Sequence, residues 1–149
     1  MTHGCAHLLT AVFARLGVGA WKDTPHGNVI DGGVPWYRSY LTADGRHMAV
    51  GAIEERFYAN FVAGLGLDPG ELPSRGERAR HGELAARFQA RFLQAPMAHW
   101  AAHFETRDAC VTPVLNLHEA RVYDVNRGLF DDGHGPWVPA AAPHLFPIQ

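Results

Sequence analysis

A short turn between two β-prone runs is the feature that most narrows the folds open to this chain. Residues 36–42 and 48–53 are rich in aromatic or aliphatic β-forming side chains, and Ala43-Asp44-Gly45-Arg46 lies between them. Asp-Gly between two such runs is a strong β-hairpin signal, because these residues tolerate the backbone angles of a tight turn. The sequence therefore predicts an antiparallel strand pair, against which the remaining segments must pack.

Helical periodicity surrounds the hairpin. Apolar side chains recur every three or four residues in four stretches, which predicts amphipathic helices. These stripes are formed by Leu8, Leu9, Val12, Phe13 and Leu16; by Phe57, Phe61 and Leu65; by Leu84, Phe88 and Phe92; and by Met97, Trp100 and Phe104. Pro96 suits the first turn of the fourth helix. Residues 111–115 are β-branched and predict a strand, and residues 117–125 predict a short helix. The order indicates an α+β fold.

Glycine and proline suggest where the folded region begins and ends. Gly17 and Gly19 end the first helix, and residues 20–35 show little periodicity, which predicts an extended connector. A connector of roughly 15 residues is uncommon inside a compact domain. We therefore predict three parts, namely a linker helix and connector (1–27), a small α+β domain (28–128) and an irregular C-terminal segment (129–149).

Charge and hydropathy argue against several classes of partner. The 149 residues carry a formal net charge of −2, which gives no electrostatic footprint for nucleic acid or an anionic membrane. No segment reaches the ~18 apolar residues that a membrane span needs, and residues 1–16 lack the pattern of a signal peptide. Two cysteines do not make a disulfide framework. We expect a cytoplasmic protein that binds neither nucleic acid nor membranes.

The spacing of the histidines and cysteines does not favour a metal site. His3 and His7 are four residues apart, as are His99 and His103, and such pairs can ligate zinc. Neither pair has a third ligand at a suitable spacing, so solvated or half-buried histidines are the favoured interpretation. Cys110 enters an apolar strand, which favours a buried structural cysteine.

Glu54 is the best candidate for chemistry. It follows the second β-prone run and opens the next helix, and a strand-to-helix junction is a good position for a catalytic carboxylate. A helix dipole alone, however, stabilises an acidic residue in the first turn by roughly 0.3–1 kcal/mol. Glu55 could serve the dipole equally well. The residues by themselves give a candidate carboxylate without naming a reaction.

Three longer blocks form a more specific pattern. They are NVIDGGVPWY at residues 28–37, MAVGAIE at residues 48–54 and DACVTPVL at residues 108–115. In length, order and spacing these blocks resemble the family III CoA-transferases, and most closely the alpha-methylacyl-CoA racemase branch of that family. The resemblance runs from the first helix to about Pro143.

The resemblance implies an acyl-CoA enzyme of which this chain is one part. Family members are more than twice as long, with a large CoA-binding domain, a smaller inserted domain and two interlocked chains. The racemase branch inverts C2 of 2-methylacyl-CoA thioesters by proton abstraction and reprotonation through an enolate. The histidine and aspartate of that reaction lie upstream of the part seen here. We therefore expect an acyl-CoA thioester substrate, no cofactor, no metal, and a homodimer or complementing large domain as partner.

The resemblance also assigns roles to three residues. Glu54 matches the family's glutamate that pairs with the catalytic histidine and sets its orientation and basicity, a device also used in hydrolase triads. Tyr37 and Ile53 match residues that line the acyl pocket near the reacting carbon. The chain departs from close relatives at Glu55-Arg56, where they often have Pro-Gln, a change that affects the start of the helix without moving Glu54.

Two alternatives remain open at this stage. A CoA-transferase of the same family would move CoA between carboxylic acids and would use an aspartate nucleophile, which again lies upstream. A truncated remnant would instead be a non-catalytic folded or interaction module. Upstream DNA that encodes the CoA-binding half would favour an enzyme, whereas an unrelated upstream gene would favour the remnant.

Overall fold

The predicted hairpin forms the first two strands of an antiparallel sheet. In a computed structural model, which describes residues 2–126 and 129–130, β1 (Tyr37–Leu41) pairs with β2 (His47–Gly51), and β2 pairs with β3 (Val111–Pro113). The sheet order β1-β2-β3 places β2 in the centre. Both strands of the hairpin and the predicted later strand are confirmed.

The predicted helices are also present, and together with the sheet they confirm the α+β class. Within the described residues the α-helices are α1 (Thr2–Leu8), α2 (Thr10–Gly17), α3 (Glu55–Gly64), α4 (His81–Phe92), α5 (Met97–Glu105) and α6 (Leu117–Val122). The chain forms two compact units, Met1–Val114 and Leu115–Gln149, and α6 belongs to the second. The predicted irregular segment 129–149 lies outside the described residues except for residues 129–130. The predicted boundaries at 27/28 and 128/129 stay predictions.

The first predicted helix is divided into α1 and α2 at Leu9, and neither part contains a buried residue. The side chains of Leu8 and Phe13 are 85% and 56% exposed. Within the described residues this apolar stripe is therefore uncovered. Among the helices that the structure describes, none combines the length and apolar character that crossing a membrane would require.

Aromatic rings form the core of the first unit. Leu84, Phe88 and Phe92 step along α4, and all three are fully buried. Phe61 of α3 lies against Phe88 with ring centroids 4.8 Å apart, and Phe104 of α5 lies 6.4 Å from Phe92. The predicted stripes on α3, α4 and α5 are confirmed, because residues three or four apart share one face of a helix.

Asp44 connects the hairpin turn to α5. Its carboxylate accepts hydrogen bonds from the Thr42 hydroxyl (2.6 Å) and from the Met97 backbone amide (3.2 Å). The bond from Thr42, aided by that from Met97, outweighs desolvation and lowers the pKa of Asp44. Pro96 lies one residue before α5 rather than in its first turn. Asp44 therefore satisfies the first backbone amide that the helix leaves free.

Gly64 allows the end of α3 to approach α5. A Cβ atom at this position would lie 2.4 Å from the Phe104 Cε1 atom. We therefore expect Gly64→Ala to displace this buried ring and to lower the free energy of unfolding by about 1–3 kcal/mol. Gly82→Ala, a control in α4 with nothing within 4 Å of the added atom, should be neutral or slightly stabilising. Urea unfolding measures both, and equal midpoints would contradict this packing.

Candidate functional site

Small side chains on one face of the sheet leave a cleft of about 730 Å³. In the strand register Tyr37 lies opposite Gly51, Ser39 opposite Ala49, and Ala49 opposite Thr112. Because side chains alternate along a strand, these five residues share one face, while Tyr40, Met48 and Val50 on the other face are buried. All five line the cleft. Four of them are small, so the sheet does not fill this space itself.

A loop from the connector forms another wall of the cleft. Asp31 accepts hydrogen bonds from the backbone amide (2.9 Å) and the side-chain amide (2.8 Å) of Asn28. Partial desolvation acts to raise the pKa of Asp31, but the bonds from Asn28 outweigh it and that pKa lies below its usual value. A Cβ atom on Gly33 would lie 2.3 Å from the Asn28 carbonyl oxygen. The prediction of an extended connector is wrong here, because these side-chain bonds and this close approach fold residues 28–33 into a turn.

The two predicted acyl-pocket residues lie at different places. Tyr37 begins β1 and lines the cleft. Ile53 follows β2, its side chain is 37% exposed, and its backbone amide donates a hydrogen bond to the Gly51 carbonyl (2.9 Å). Both residues flank the end of the central strand, and their contact with an acyl chain stays a prediction.

Glu54 occupies the N-cap position of α3 in an extended backbone conformation (φ −69°, ψ 148°). Its side chain is exposed and does not cap the helix. Its backbone carbonyl accepts the hydrogen bond of the Tyr58 amide (2.9 Å), which begins the helical ladder. Within the part of the chain that the structure describes, no hydrogen bond or ion pair engages the Glu54 carboxylate.

Glu55 differs from its neighbour in having a partner. Its carboxylate pairs with the guanidinium of Arg75, and it is the acidic residue in the first turn of α3. Glu55 therefore serves the positive end of the helix dipole. The carboxylate of Glu54 takes no part in that ion pair.

Cys110 contradicts its predicted role as a buried structural cysteine. Its thiol is exposed, it lines the cleft, and its backbone lies in the left-handed region with φ 51°. Ala109 takes the fully buried position just before it. The left-handed turn at the entrance to β3 is the physical reason for the difference, because the apolar pattern does not encode this change of direction.

The Cys110 thiol is electrostatically coupled to the predicted catalytic carboxylate. Desolvation is the largest influence that raises the pKa of Cys110, followed by the negative charges of Glu54 and Asp108. The charge of Glu54 therefore acts on a residue of the cleft wall, although the two are far apart in the sequence. The carboxylate disfavours a second negative charge on the thiol.

This coupling predicts that Glu54→Gln lowers the pKa of Cys110. The thiolate becomes easier to form once the neighbouring negative charge is removed. The measurement is the rate of iodoacetamide alkylation against pH in a Cys5→Ser background, which leaves one reactive thiol. Glu71→Gln, an exposed carboxylate in the turn Pro69–Glu71, provides the control. An alkylation profile that Glu54→Gln leaves unchanged would show that the two groups are not close.

The two histidine pairs do not line the cleft. Across the described residues no group of three histidine, cysteine or acidic side chains is placed to hold a metal ion. His103 is half-buried and its Nε2 atom is hydrogen-bonded to a backbone carbonyl of α3 (2.8 Å), and the exposed His99 ring packs against Trp100. His3 and His7 are exposed on α1. The interpretation of these residues as solvated or half-buried is confirmed.

The sequence did not indicate the contact of Arg75 with this junction or the exposure of Cys110. Arg75 reaches the junction from a loop twenty residues away, and no periodicity connects it with that junction. Cys110 was noticed, but its exposure depends on the left-handed turn. The wall of the cleft also includes His26, which no motif singled out.

Comparisons with known proteins agree with the resemblance seen in the sequence. A family model described as CoA-transferase family III matches residues 1–135. The alpha-methylacyl-CoA racemase of Mus musculus is 41% identical over 148 residues, which cover 97% of this chain and 39% of the mouse protein. The racemase of Homo sapiens is 39% identical over 127 residues, which cover 85% of the chain and 33% of the human protein.

A relative with a different description is also similar. A CaiB/baiF CoA-transferase family protein of Caenorhabditis elegans is 33% identical over 120 residues, which cover 79% of this chain and 34% of that protein. The chain thus spans no more than about two fifths of the length of these relatives.

Proposed function

The chain belongs to CoA-transferase family III, and on that basis we propose that it is the small-domain part of an enzyme that inverts C2 of 2-methylacyl-CoA thioesters. The two racemases that resemble it at 41% and 39% identity support this reaction. The proposal assigns to this chain one wall of the acyl site. The remainder of the site belongs to polypeptide that corresponds to the rest of those relatives.

The reaction requires two proton-transfer groups on opposite faces of C2. One base removes the C2 proton, the electron pair moves into the thioester as an enolate, and an acid returns a proton to the other face. We assign these roles to a histidine and an aspartate of the remaining polypeptide. The chain contributes groups that orient them and that exclude water from the acyl chain.

The single observation that carries the proposal is the position of the Glu54 carboxylate. It is exposed at the strand-to-helix junction that follows Gly51, a residue of the cleft wall, and no described side chain forms a hydrogen bond or ion pair with it. Its neighbour Glu55 is held by Arg75 and serves the helix. An unused carboxylate can accept a hydrogen bond from an imidazole N–H, which fixes one tautomer and stabilises the imidazolium that forms when the ring takes the C2 proton.

Tyr37 and Ile53 complete the contribution of this chain. Tyr37 lies on the cleft wall and Ile53 precedes Glu54, so both present apolar surface close to the proposed histidine partner. Contact with the 2-methylacyl group would bury part of that surface, and such contacts orient C2 relative to the base. The small residues of the sheet face then leave room for the chain beyond C2.

The second candidate is transfer of CoA between carboxylic acids. The similarity to the Caenorhabditis elegans CaiB/baiF CoA-transferase family protein favours it, and that similarity covers most of this chain. In this reaction an aspartate of the remaining polypeptide would attack the thioester and form a mixed anhydride, with CoA thiolate as the leaving group. The thiolate would then attack the aspartyl carbonyl and release the first carboxylate. The second carboxylate would attack the resulting aspartyl-CoA thioester and form a second anhydride, and CoA thiolate would take the new acyl group and restore the aspartate. The cleft would hold an acyl chain in either case.

A chimera distinguishes the two reactions. The chain replaces the matching segment of the mouse racemase, and the product is incubated with one enantiomer of a 2-methylacyl-CoA together with a free carboxylic acid. Chiral chromatography follows inversion, and mass spectrometry follows CoA esters of the added acid. We expect inversion without transfer. Transfer without inversion would support the second candidate, and a folded chimera that does neither would support a non-catalytic remnant.

A further inference from the structure

Several residues contact Arg75 beside the strand-to-helix junction that contains Glu54. Its guanidinium carbon lies 4.6 Å from the centre of the Tyr58 ring and 5.3 Å from the centre of the Trp36 ring. The side chain is 25% exposed. Its backbone carbonyl is hydrogen-bonded to the Nε2 atom of His81 (2.9 Å). Both its backbone and its guanidinium are therefore fixed relative to the sheet and to α3.

The two ends of the guanidinium contact the residues on either side of Glu54. Nη1 donates a hydrogen bond to the Ile53 carbonyl oxygen (2.7 Å), and Nη2 donates to the Glu55 carboxylate. The rigid planar fork of arginine suits such a double contact, which the single ammonium of lysine cannot reproduce. The backbone of Glu54 is thus bracketed by contacts at both neighbours.

We propose that Arg75 is a positioning residue for Glu54. By holding Ile53 and Glu55, it directs the Glu54 carboxylate toward the cleft and keeps the adjacent Glu55 carboxylate from competing for the same partner. This inference rests on the proposed role of Glu54 in orienting a catalytic histidine. It adds Arg75, a residue of the loop between α3 and α4 that lies outside the sheet and the cleft, to the machinery of the site.

A purely structural role accounts for these contacts less well. The Glu55 side chain is 80% exposed, and an ion pair that is open to water contributes little to folding stability. What the pair does fix is the direction in which the chain leaves β2 and enters α3. Small displacements of a catalytic group have large effects on rate. The contacts of Arg75 with Ile53 and Glu55 therefore matter through the position that they give to Glu54.

The test uses the Cys110 thiol as a reporter of where Glu54 lies. In a Cys5→Ser background, alkylation against pH is measured for Arg75→Gln, Arg75→Lys and the control Arg78→Gln, an exposed arginine of the same loop. We expect Arg75→Gln to lower the apparent pKa of Cys110, because Glu54 leaves the thiol. Direct loss of a nearby positive charge would change that pKa in the opposite direction. Arg75→Lys should give a smaller change, and Arg78→Gln none.

A double-mutant cycle distinguishes the positioning of Glu54 by Arg75 from a general loss of order in the surrounding structure. When Glu54→Gln is already present, Arg75→Gln should leave the Cys110 profile unchanged, since no carboxylate remains to be moved. An equal change in both backgrounds, or no change in either, would overturn the inference. Arg75→Lys keeps the charge and provides a second variant should Arg75→Gln fold poorly.

The mouse chimera gives an independent readout. Arg75→Gln should lower kcat for C2 inversion about tenfold, a typical effect of removing an outer hydrogen-bond partner, with KM unchanged and partial rescue by Arg75→Lys. A loss confined to KM would contradict positioning. A native chimera without activity would refute the proposed function, whereas the thiol measurements would still decide whether Arg75 directs Glu54.

Discussion

Phe92→Ala is expected to lower the free energy of unfolding by about 3–5 kcal/mol. Phe92 is fully buried, and its ring lies 5.3 Å from Tyr40, 6.3 Å from Phe61 and 5.2 Å from Trp100 between ring centroids. The backbone carbonyl of Phe92 also accepts the indole N–H of Trp100 (2.9 Å). Truncation leaves a cavity between the sheet and the helices. Small domains are stable by only about 5–15 kcal/mol, so this single change removes a large part of the total.

The adjacent Leu93 provides a matched control, because its side chain is 46% exposed. Leu93→Ala should change the unfolding free energy by much less, in line with most surface substitutions, which stay within about 0.5 kcal/mol. Urea unfolding followed by tryptophan fluorescence reports both variants, since Trp36 and Trp100 are buried. Similar losses for Phe92→Ala and Leu93→Ala would contradict the placement of this ring at the centre of the core.

Glu54→Gln should lower the rate of C2 inversion by the mouse chimera by about 10²-fold or more. Loss of a carboxylate that orients a metal-bound histidine costs about 10–100-fold, and loss of a triad carboxylate costs about 10⁴-fold. The amide keeps the size of the side chain, but it removes the charge that stabilises an imidazolium. The effect should fall on kcat, because the carboxylate acts when the proton moves. Initial rates measured by chiral chromatography provide the test.

Glu71→Gln is the matched control for this charge change, as Glu71 is exposed in the turn before the Arg75 loop. It should leave the rate unchanged. Thermal unfolding should differ little between the two variants, because Glu54→Gln loses no hydrogen bond or ion pair within the described residues and at most the roughly 0.3–1 kcal/mol of the helix dipole. A Glu54→Gln chimera that keeps the full rate of C2 inversion would show that Glu54 is not part of the active site.

The sequence allowed the hairpin and the helical stripes to be predicted because local rules determine them. Asp44-Gly45 defines the turn, and Leu84, Phe88 and Phe92 lie on one face through a period that any helix must obey. Glu54 was predicted as a site residue partly because it lies at a strand-to-helix junction and partly because the sequence resembles the family. The register of β1 and β2 then brought Tyr37 opposite Gly51, at the end of the strand that leads to Glu54.

The features that escaped prediction depend on contacts between distant residues or on backbone angles. Arg75 approaches Glu55 across a separation of twenty residues, and no pattern in the sequence states that they meet. Cys110 faces outward because of a left-handed backbone conformation that a non-glycine residue rarely adopts. The turn at residues 28–33 forms through the hydrogen bonds between Asn28 and Asp31, which a count of glycines and prolines does not reveal.

Deuterium incorporation at C2 of a 2-methylacyl-CoA in heavy water, followed across pH by mass spectrometry, tests whether Glu54 orients a catalytic histidine. The chimera that carries this chain should exchange C2 and lose activity on the acid side, where the catalytic histidine becomes protonated. A neighbouring carboxylate raises the pKa of that histidine, so Glu54→Gln should lower the rate and move the acid limb to lower pH. A chimera without exchange, or an acid limb and rate that Glu54→Gln leaves unchanged, would contradict the account.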